Sequence, residues 1–272
     1  MLLSLDSGIS ALRQFQQNLN VVANNIANVE TVGFKSASVH FADTLSQTLR
    51  GQGPGGTMQV GTGITTASIT NQFTQGSVSN TGSQNDLAIN GNGFFTLSDV
   101  STGTTYVSRD GQFTLDTDGY LVTNSGLRVQ GYNDAALTTL GDIKVDNTGG
   151  PTASVMTGYS FGTDGKLTVQ LADGNTFTRG QVLLQNFSSP QQLLKVGNNL
   201  FSGLAAAGPL AAPGSPGLNG LGNLATGSLE MSNVDLTSQL AALITTQRAY
   251  EANTKVITTS DEILQSLVNL KR

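Results

Sequence analysis

Cysteine is absent from the 272-residue chain. That excludes disulfide staples and thiolate zinc sites, and by itself leaves the compartment open. Histidine occurs once, at His40, so a transition-metal centre has almost no ligands to draw on. Charge is scarce too: Asp, Glu, Lys and Arg together make 11% of the chain, where about 25% is usual. The net charge is −5 and no run of Lys or Arg occurs. A nucleic-acid surface needs clustered positive charge to displace counterions, so that class is excluded. No stretch of about 18 apolar residues offers a membrane-spanning helix, and membrane insertion is not expected. The opening MLLSLDSGIS has no basic residue before Arg13 and carries Asp6, unlike a cleaved signal peptide. By the general secretory route the chain reads as cytoplasmic.

In place of charge stand Ser, Thr, Asn, Gln and 33 Gly. Such a surface is polar but mostly neutral, and copies can pack without desolvating many ionised groups, which is costly unless they are paired. A self-associating subunit and an ordinary extracellular β protein both fit this composition.

The two ends of the chain carry helical periodicity. Leu5, Ile9, Leu12, Gln16, Leu19, Ala23 and Ile26 alternate steps of four and three, a heptad seam within an amphipathic helix over about 3–28. A second seam runs Leu236, Leu240, Leu243, Gln247, Tyr250, Thr254, Ile257, Asp261, Leu264, Val268. Ser232 to Asp235 offer N-cap candidates, and Lys271 and Arg272 suit the far end of the helix dipole. Neither Gly nor Pro occurs between 234 and 272. An exposed apolar stripe on an isolated helix is marginal in water, so the two helices are expected to pair. The polar seam positions Gln16, Gln247, Thr254 and Asp261 favour a pair that meets further partners. The bland alternative is a coiled-coil stalk that merely holds the middle of the chain.

The middle is punctuated by Asn90-Gly91, Asn92-Gly93, Asp110-Gly111, Asp118-Gly119, Asp164-Gly165 and Asp173-Gly174. These separate short apolar stretches at 94–97, 112–115, 127–130, 166–171 and 181–185, a hairpin pattern. The expected fold class is therefore α+β: long N- and C-terminal helices pairing as a coiled-coil-like rod, with an inserted antiparallel β domain. The expected division is an N-terminal core helix and turn (1–35), an extended connecting segment (36–75), the β domain (76–190), an extended return segment (191–233) and a C-terminal core helix (234–272).

After the first helix comes ANNIANVETVGFK (23–35), followed downstream by DLAINGNGFFT (86–96), SRDGQFTLDTDGYLVTN (108–124), VGNNLFS (196–202) and a closing run from Glu230, EMSNVDLTSQLAALITTQRAYEANTKVITTSDEILQSLVNLKR. Taken in this order, they resemble bacterial flagellar hook and basal-body rod axial proteins across nearly the whole chain; 136–160 fits least. The resemblance implies terminal helices in an inner tube, middle domains outside it, and export without a cleaved signal peptide through the flagellar type III apparatus. The cytoplasmic reading then gives way to an extracytoplasmic appendage, a hook or basal body. It implies a helical homopolymer, with other rod, hook-cap and junction proteins as partners. Leu5, Ile9, Leu12, Leu19, Ile26, Leu236, Leu240, Leu243, Tyr250, Ile257 and Leu264 are the expected polymer core. Asn24, Asn25 and Asn28 can bond backbone where the first helix ends, and Gly33 permits a left-handed turn there; a simple helix cap is the alternative. Within the family, the stretches 40–50 and 58–63 and the ending lean towards a short hook subunit, whereas length favours the distal rod.

Catalysis finds little support. His40, Asp43 and Ser46 lie close in sequence, but a Ser/His/Asp triad is a matter of fold geometry, and a surface histidine is the plainer reading. Asp116-Thr-Asp118-Gly119 lacks the remaining ligands of a calcium loop. Gly61-Thr-Gly63 and Gly91-Asn-Gly93 lack the strand–loop–helix setting of a phosphate loop. No cofactor or metal is expected, and no enzyme. A secreted adhesin or phage-tail-like protein would explain the hairpins but not the matched ends, and an extracellular hydrolase would need a converging acid/base pair in the β domain.

Overall fold

The computed structural model describes residues 2–50, 58–150, 154–210 and 212–270. Lys271 and Arg272, expected at the helix C-terminus, lie outside them. The chain divides into two compact units: residues 1–29, 36–72 and 234–272 form one, residues 30–35 and 73–233 the other.

The first unit contains the N-terminal helix Leu2–Ala27 and the C-terminal helix Leu236–Leu270. Both lie where the heptads place them. Asp235 caps the second, its carboxylate accepting from Thr237 N at 3.0 Å and Ser238 Oγ at 2.6 Å. Those bonds, the Ser238 hydroxyl first, hold the carboxyl below its ordinary range. The helices lie side by side and antiparallel. Gly8 faces Ile257, close enough that a methyl on Gly8 would lie 3.3 Å from Ile257 Cγ1. Asn18 Nδ2 donates to Thr246 Oγ1 at 3.0 Å, and Asn25 Nδ2 donates to Gln239 Oε1 at 3.1 Å.

The covered face differs from the expected seam by one residue on one side. Leu243, Ile257 and Leu264 are half-buried, but their companions are Gln239, Thr246, Asn253 and Ser260. The expected positions Leu240, Gln247, Thr254 and Asp261 are exposed. The side-chain bonds from Asn18 and Asn25 select the polar partners Thr246 and Gln239, and the space at Gly8 takes Ile257. The bulkier Leu236 and Leu240 are left outside.

Residues 36–75 are not an unpaired connector. Strand β1 (Ala37–Asp43) pairs antiparallel with β4 (Ile64–Asn71), and β2 (Ser46–Arg50) with β3 (Met58–Gly61). Ala37, Val39 and Phe41 alternate with Ser38 and His40 in β1, whereas β4, ITTASITN, has no such alternation, yet its backbone pairs along its length. β4 meets the N-terminal helix through Thr66 Oγ1, which donates to Gln17 Oε1 at 2.9 Å and also to Gln14. The rings of Phe41 and Phe15 are 6.2 Å apart, edge to face.

The second unit is built on a twelve-stranded antiparallel sheet whose path runs through 156–161, 166–171, 176–182, 128–132, 94–98, 105–108, 200–202 and 194–197. Asp-Gly turns close hairpins at 116–120, 164–165 and 173–174, where the sequence marks them. Strand 94–98 sits at the centre, and its alternation sends Phe95 and Leu97 into one core and Phe94 into another. The first core includes Leu87, Ile89, Phe113, Leu121, Val129, Leu167 and Leu184. The second gathers Phe94, Val107, Phe187, Leu193, Phe201 and Ala207, with Phe73 against it. The expected return segment 191–233 belongs to this unit: 194–197 pairs with 200–202, 223–226 with 87–90, and 228–230 with 78–80.

Both apolar clusters lie in the second unit. Among the described residues of the helical unit, Val22 alone of the large apolar side chains is fully buried.

Candidate functional site

Two features stand out as functional: a buried charge cluster in the β unit, and an uncovered apolar surface on the helices.

The cluster joins the three places where the most recognisable segments meet. Lys35 closes the run that follows the first helix, Arg109 stands at the turn after 105–108, and Glu230 ends strand 228–230. Lys35 Nζ lies 2.7 Å from Glu230 Oε1, and both side chains are 0% exposed. Arg109 Nη1 reaches Glu230 Oε2 at 3.2 Å. Two further donors find carbonyls, Lys35 Nζ to Thr74 O at 2.8 Å and Arg109 Nη2 to Gly91 O at 2.8 Å, while Arg109 Nε is buried with no hydrogen-bond partner among the described residues. Gly76 N donates to Glu230 Oε1 at 3.0 Å. Burial pulls both Lys35 and Arg109 below their ordinary pKa values, and the Glu230 carboxylate opposes that pull. Two cations around one anion leave a buried excess of positive charge, which the two carbonyls and the Phe94 ring face, 5.2 Å from the guanidinium, help to offset.

Backbone contacts tighten the same place. Gly33 N donates to Glu230 O at 2.7 Å and Met231 N to Ser77 O at 2.8 Å. Lys195 Nζ donates to Lys35 O at 2.6 Å while lying 4.4 Å from the Phe34 ring centroid, and Asn199 Nδ2 donates to Val32 O at 2.7 Å. Gly33 has φ +67°, and a Cβ there would fall 2.7 Å from Asp110 N. The left-handed backbone and the close approach each require glycine. Segments 30–35 and 228–233 are thus fixed together within the β unit.

The other members of the helix-end group divide the work. Asn25 is buried and clamps Ala37, accepting from its N at 3.0 Å and donating to its O at 2.8 Å, besides its bond to Gln239. Asn28 Nδ2 donates to Asn24 O at 2.9 Å, a local end to the helix. Asn24 is exposed and contributes its carbonyl.

Of the expected polymer-core residues, Leu5, Ile9, Leu12, Leu19, Ile26, Leu243, Ile257 and Leu264 are half-buried; Leu236, Leu240 and Tyr250 are exposed. Ile244, Val256, Ile263 and Val268 are also exposed, residues the heptad reading largely missed. At 100° per residue, Leu236, Leu240 and Ile244 lie on one flank of the C-terminal helix, and Val256 and Ile263 on another.

The other candidates do not form catalytic arrangements. His40 Nε2 lies 3.1 Å from Thr70 Oγ1 and 3.3 Å from Ser38 Oγ, on the exposed face of β1. Asp116 O accepts from Gly119 N in a turn. Among the described residues no group of three His, Cys, Asp or Glu could hold a metal, and no helix is long and apolar enough to cross a membrane. A polar cavity of about 270 Å³ lies beside Ser108, Asp110, Asn124 and Asn199. Burial raises the Asp110 carboxyl, but these groups bond one another: Ser108 Oγ to Asn199 O, Asp110 N to Ser108 Oγ, and Gln112 N to Asp110 Oδ1.

Comparison with known proteins covers both features. Residues 5–35 match the profile of flagella basal body rod proteins, residues 88–169 the D1 domain of flagellar hook proteins FlgE/F/G, and residues 225–270 the C-terminal region of flagellar basal body rod FlgEFG proteins. The flagellar basal-body rod protein FlgG of Bacillus subtilis is 42% identical over the full length of both chains. That of Agrobacterium fabrum is 38% identical over 91% of each. The flagellar hook protein FlgE of Borreliella burgdorferi is 26% identical, over an alignment of 444 positions. It therefore carries long insertions that this chain lacks.

Proposed function

The chain belongs to the flagellar rod and hook protein family, a family of structural subunits, and from that premise we propose that it is the distal rod subunit of the basal body. The observation that carries this reading is similarity to rod proteins, at 42% identity over the full length and 38% over 91%, against 26% to a much longer hook protein. It displaces the hook reading to which the stretches 40–50 and 58–63 lean. A bendable hook would also fit the neutral, Gly-rich surface, but the chain has no room for the hook relative's insertions.

In this reading the terminal helices pair as a coiled-coil-like rod and form the polymer core. Leu5, Ile9, Leu12, Leu19 and Ile26 on one helix, with Leu236, Leu240, Leu243, Tyr250, Ile257 and Leu264 on the other, are buried between copies. The scarcity of buried apolar residues in the helical unit of one chain supports this. The subunit travels through the flagellar type III export apparatus without a cleaved signal peptide and assembles outside the cytoplasm. It meets copies of itself and neighbouring rod, hook-cap and junction proteins. The Lys35–Glu230–Arg109 cluster holds segments 30–35 and 228–233 to the turn at Arg109 within the β unit. It has no catalytic part.

Complementation tests the assignment. Expressed in Bacillus subtilis lacking its rod protein FlgG, the chain should restore rods and motility; in cells lacking the hook protein it should not. Rescue of the hook defect instead would establish the hook reading. Polymers of the purified protein should be straight; curved ones would count against the rod.

A further inference from the structure

Three Asn-Gly dipeptides occur in the chain, at 90–91, 92–93 and 219–220, and the structure treats them differently. In such a pair the glycine nitrogen can attack the asparagine side-chain carbonyl carbon. A C–N bond forms, ammonia leaves, and a cyclic imide results. Water then opens the ring at either carbonyl, giving aspartate or isoaspartate. The nitrogen must be free to lose its proton, and the backbone must swing to bring it against the side chain. Hydrogen bonds and close packing oppose both.

Asn90 is held on every side. It pairs with Asn223 across two strands, its Oδ1 accepts from Gln75 Nε2 at 3.3 Å, and the attacking nitrogen of Gly91 donates to Gln75 Oε1 at 2.9 Å. Asn92 is held through the backbone. Its carbonyl accepts from Gly222 N at 2.7 Å, and Gly93 is buried so tightly that a Cβ would lie 3.2 Å from Leu184 Cβ and 3.3 Å from Leu221 Cδ2. Asn219 and Gly220 are the opposite case. They form the two-residue tip of a turn closed by Leu221 N to Leu218 O at 2.9 Å, with φ of +53° and +77°. Both are exposed. Among the described residues, none bonds the Asn219 side chain or the Gly220 nitrogen, and a Cβ on Gly220 would meet nothing within 4 Å.

We propose that Asn219 is a self-modifying site of this protein, converting with water to aspartate or isoaspartate while Asn90 and Asn92 are protected by the fold. Conversion adds a negative charge at an exposed tip. Isoaspartate also lengthens the main chain in a turn whose next residue, Leu221, packs against the main core. A subunit that stays in an assembled structure would accumulate this change with age.

The test is timed incubation of the purified full chain at neutral and mildly alkaline pH, followed by proteolytic mapping and mass measurement of the three peptides. A parallel sample is kept unfolded in urea. In the folded chain, Asn219 should convert roughly tenfold or more faster than Asn90 or Asn92, a factor equivalent to about 1.4 kcal/mol. In urea the three should convert at comparable rates, because the hydrogen bonds and packing that distinguish them are gone. Asn219→Gln should abolish the early conversion and leave the other two peptides unchanged. Equal or faster conversion at Asn90 or Asn92 in the folded chain would overturn the proposal. So would an Asn219 that stays intact when folded but converts in urea.

Discussion

Replacing Glu230 with Gln should unfold the β unit far more readily than replacing the lysine that pairs with it. Glu230 is the single anion between Lys35 and Arg109, and its side chain and that of Lys35 are wholly buried. Gln has nearly the same shape, so packing is preserved and the charge alone is removed. Two cations are then left without a counter-charge, and losing one partner of a buried pair costs about 3–5 kcal/mol. Lys35→Met keeps the Arg109–Glu230 pair and removes the excess cation. It gives up the bonds to Thr74 O and Glu230 Oε1, but the carboxylate keeps Arg109 and Gly76 N, so no buried charge is left unpaired and the cost should be smaller than that of Glu230→Gln. Four of the five tyrosines, at 106, 120, 132 and 159, lie in the β unit, so tyrosine fluorescence in urea reports its unfolding. With a slope of about 2 kcal/mol/M, the Glu230→Gln midpoint should fall on the order of 2 M. It should be insensitive to salt, because a buried pair is poorly screened. Equal midpoints for the two variants, or a Glu230→Gln shift near zero, would refute the reasoning.

The same cluster sets a pH dependence. Burial lowers the folded-state pKa of Lys35 from 10.5, so between that lowered value and 10.5 the unfolded chain binds more protons. Stability of the β unit should therefore rise with pH through that window and be lowest below it; Lys35→Met should flatten the rise in urea titrations at successive pH values. Gly33→Ala should cost at least about 1–2 kcal/mol from the left-handed backbone alone, plus the clash with Asp110. Gly174→Ala, at φ +79° in open space, should cost the backbone term alone, and urea midpoints would separate the two. Leu240→Glu and Ile263→Glu alter side chains 45% and 46% exposed and should change monomer stability by no more than about 0.5 kcal/mol. Sedimentation should nevertheless show polymerisation abolished; normal assembly would remove these residues from the core.

What was legible in the sequence was what short-range chemistry writes down. The heptads from Leu5 and Leu236 mark both helices, and Asp118-Gly119, Asp164-Gly165 and Asp173-Gly174 mark the hairpins they close. The seam was displaced by a residue because periodicity records where large apolar side chains fall, whereas Asn18 and Asn25 take the polar partners Thr246 and Gln239 on the other helix. Leu240 and Ile263 are consequently free on the outside. Strands β1–β4 were missed because no Asn-Gly or Asp-Gly turn marks their ends, and 194–230 because its pairing partners lie as far back as residue 78. The charge cluster was invisible for the same reason: Lys35 and Glu230 are 195 positions apart. One signal was available. In a chain with 11% charged residues, a lysine following Gly-Phe and a glutamate between Leu and Met are out of place on apolar segments.

One chain leaves apolar helix surface uncovered, and its burial between copies is the central proposal. Amide hydrogen exchange of monomer and polymer measures this directly. In the monomer, amides of 236–270 should exchange fast while those of 87–132 are slow. In the polymer, both should be slow. Helix amides as well protected in the monomer as in the polymer would contradict it.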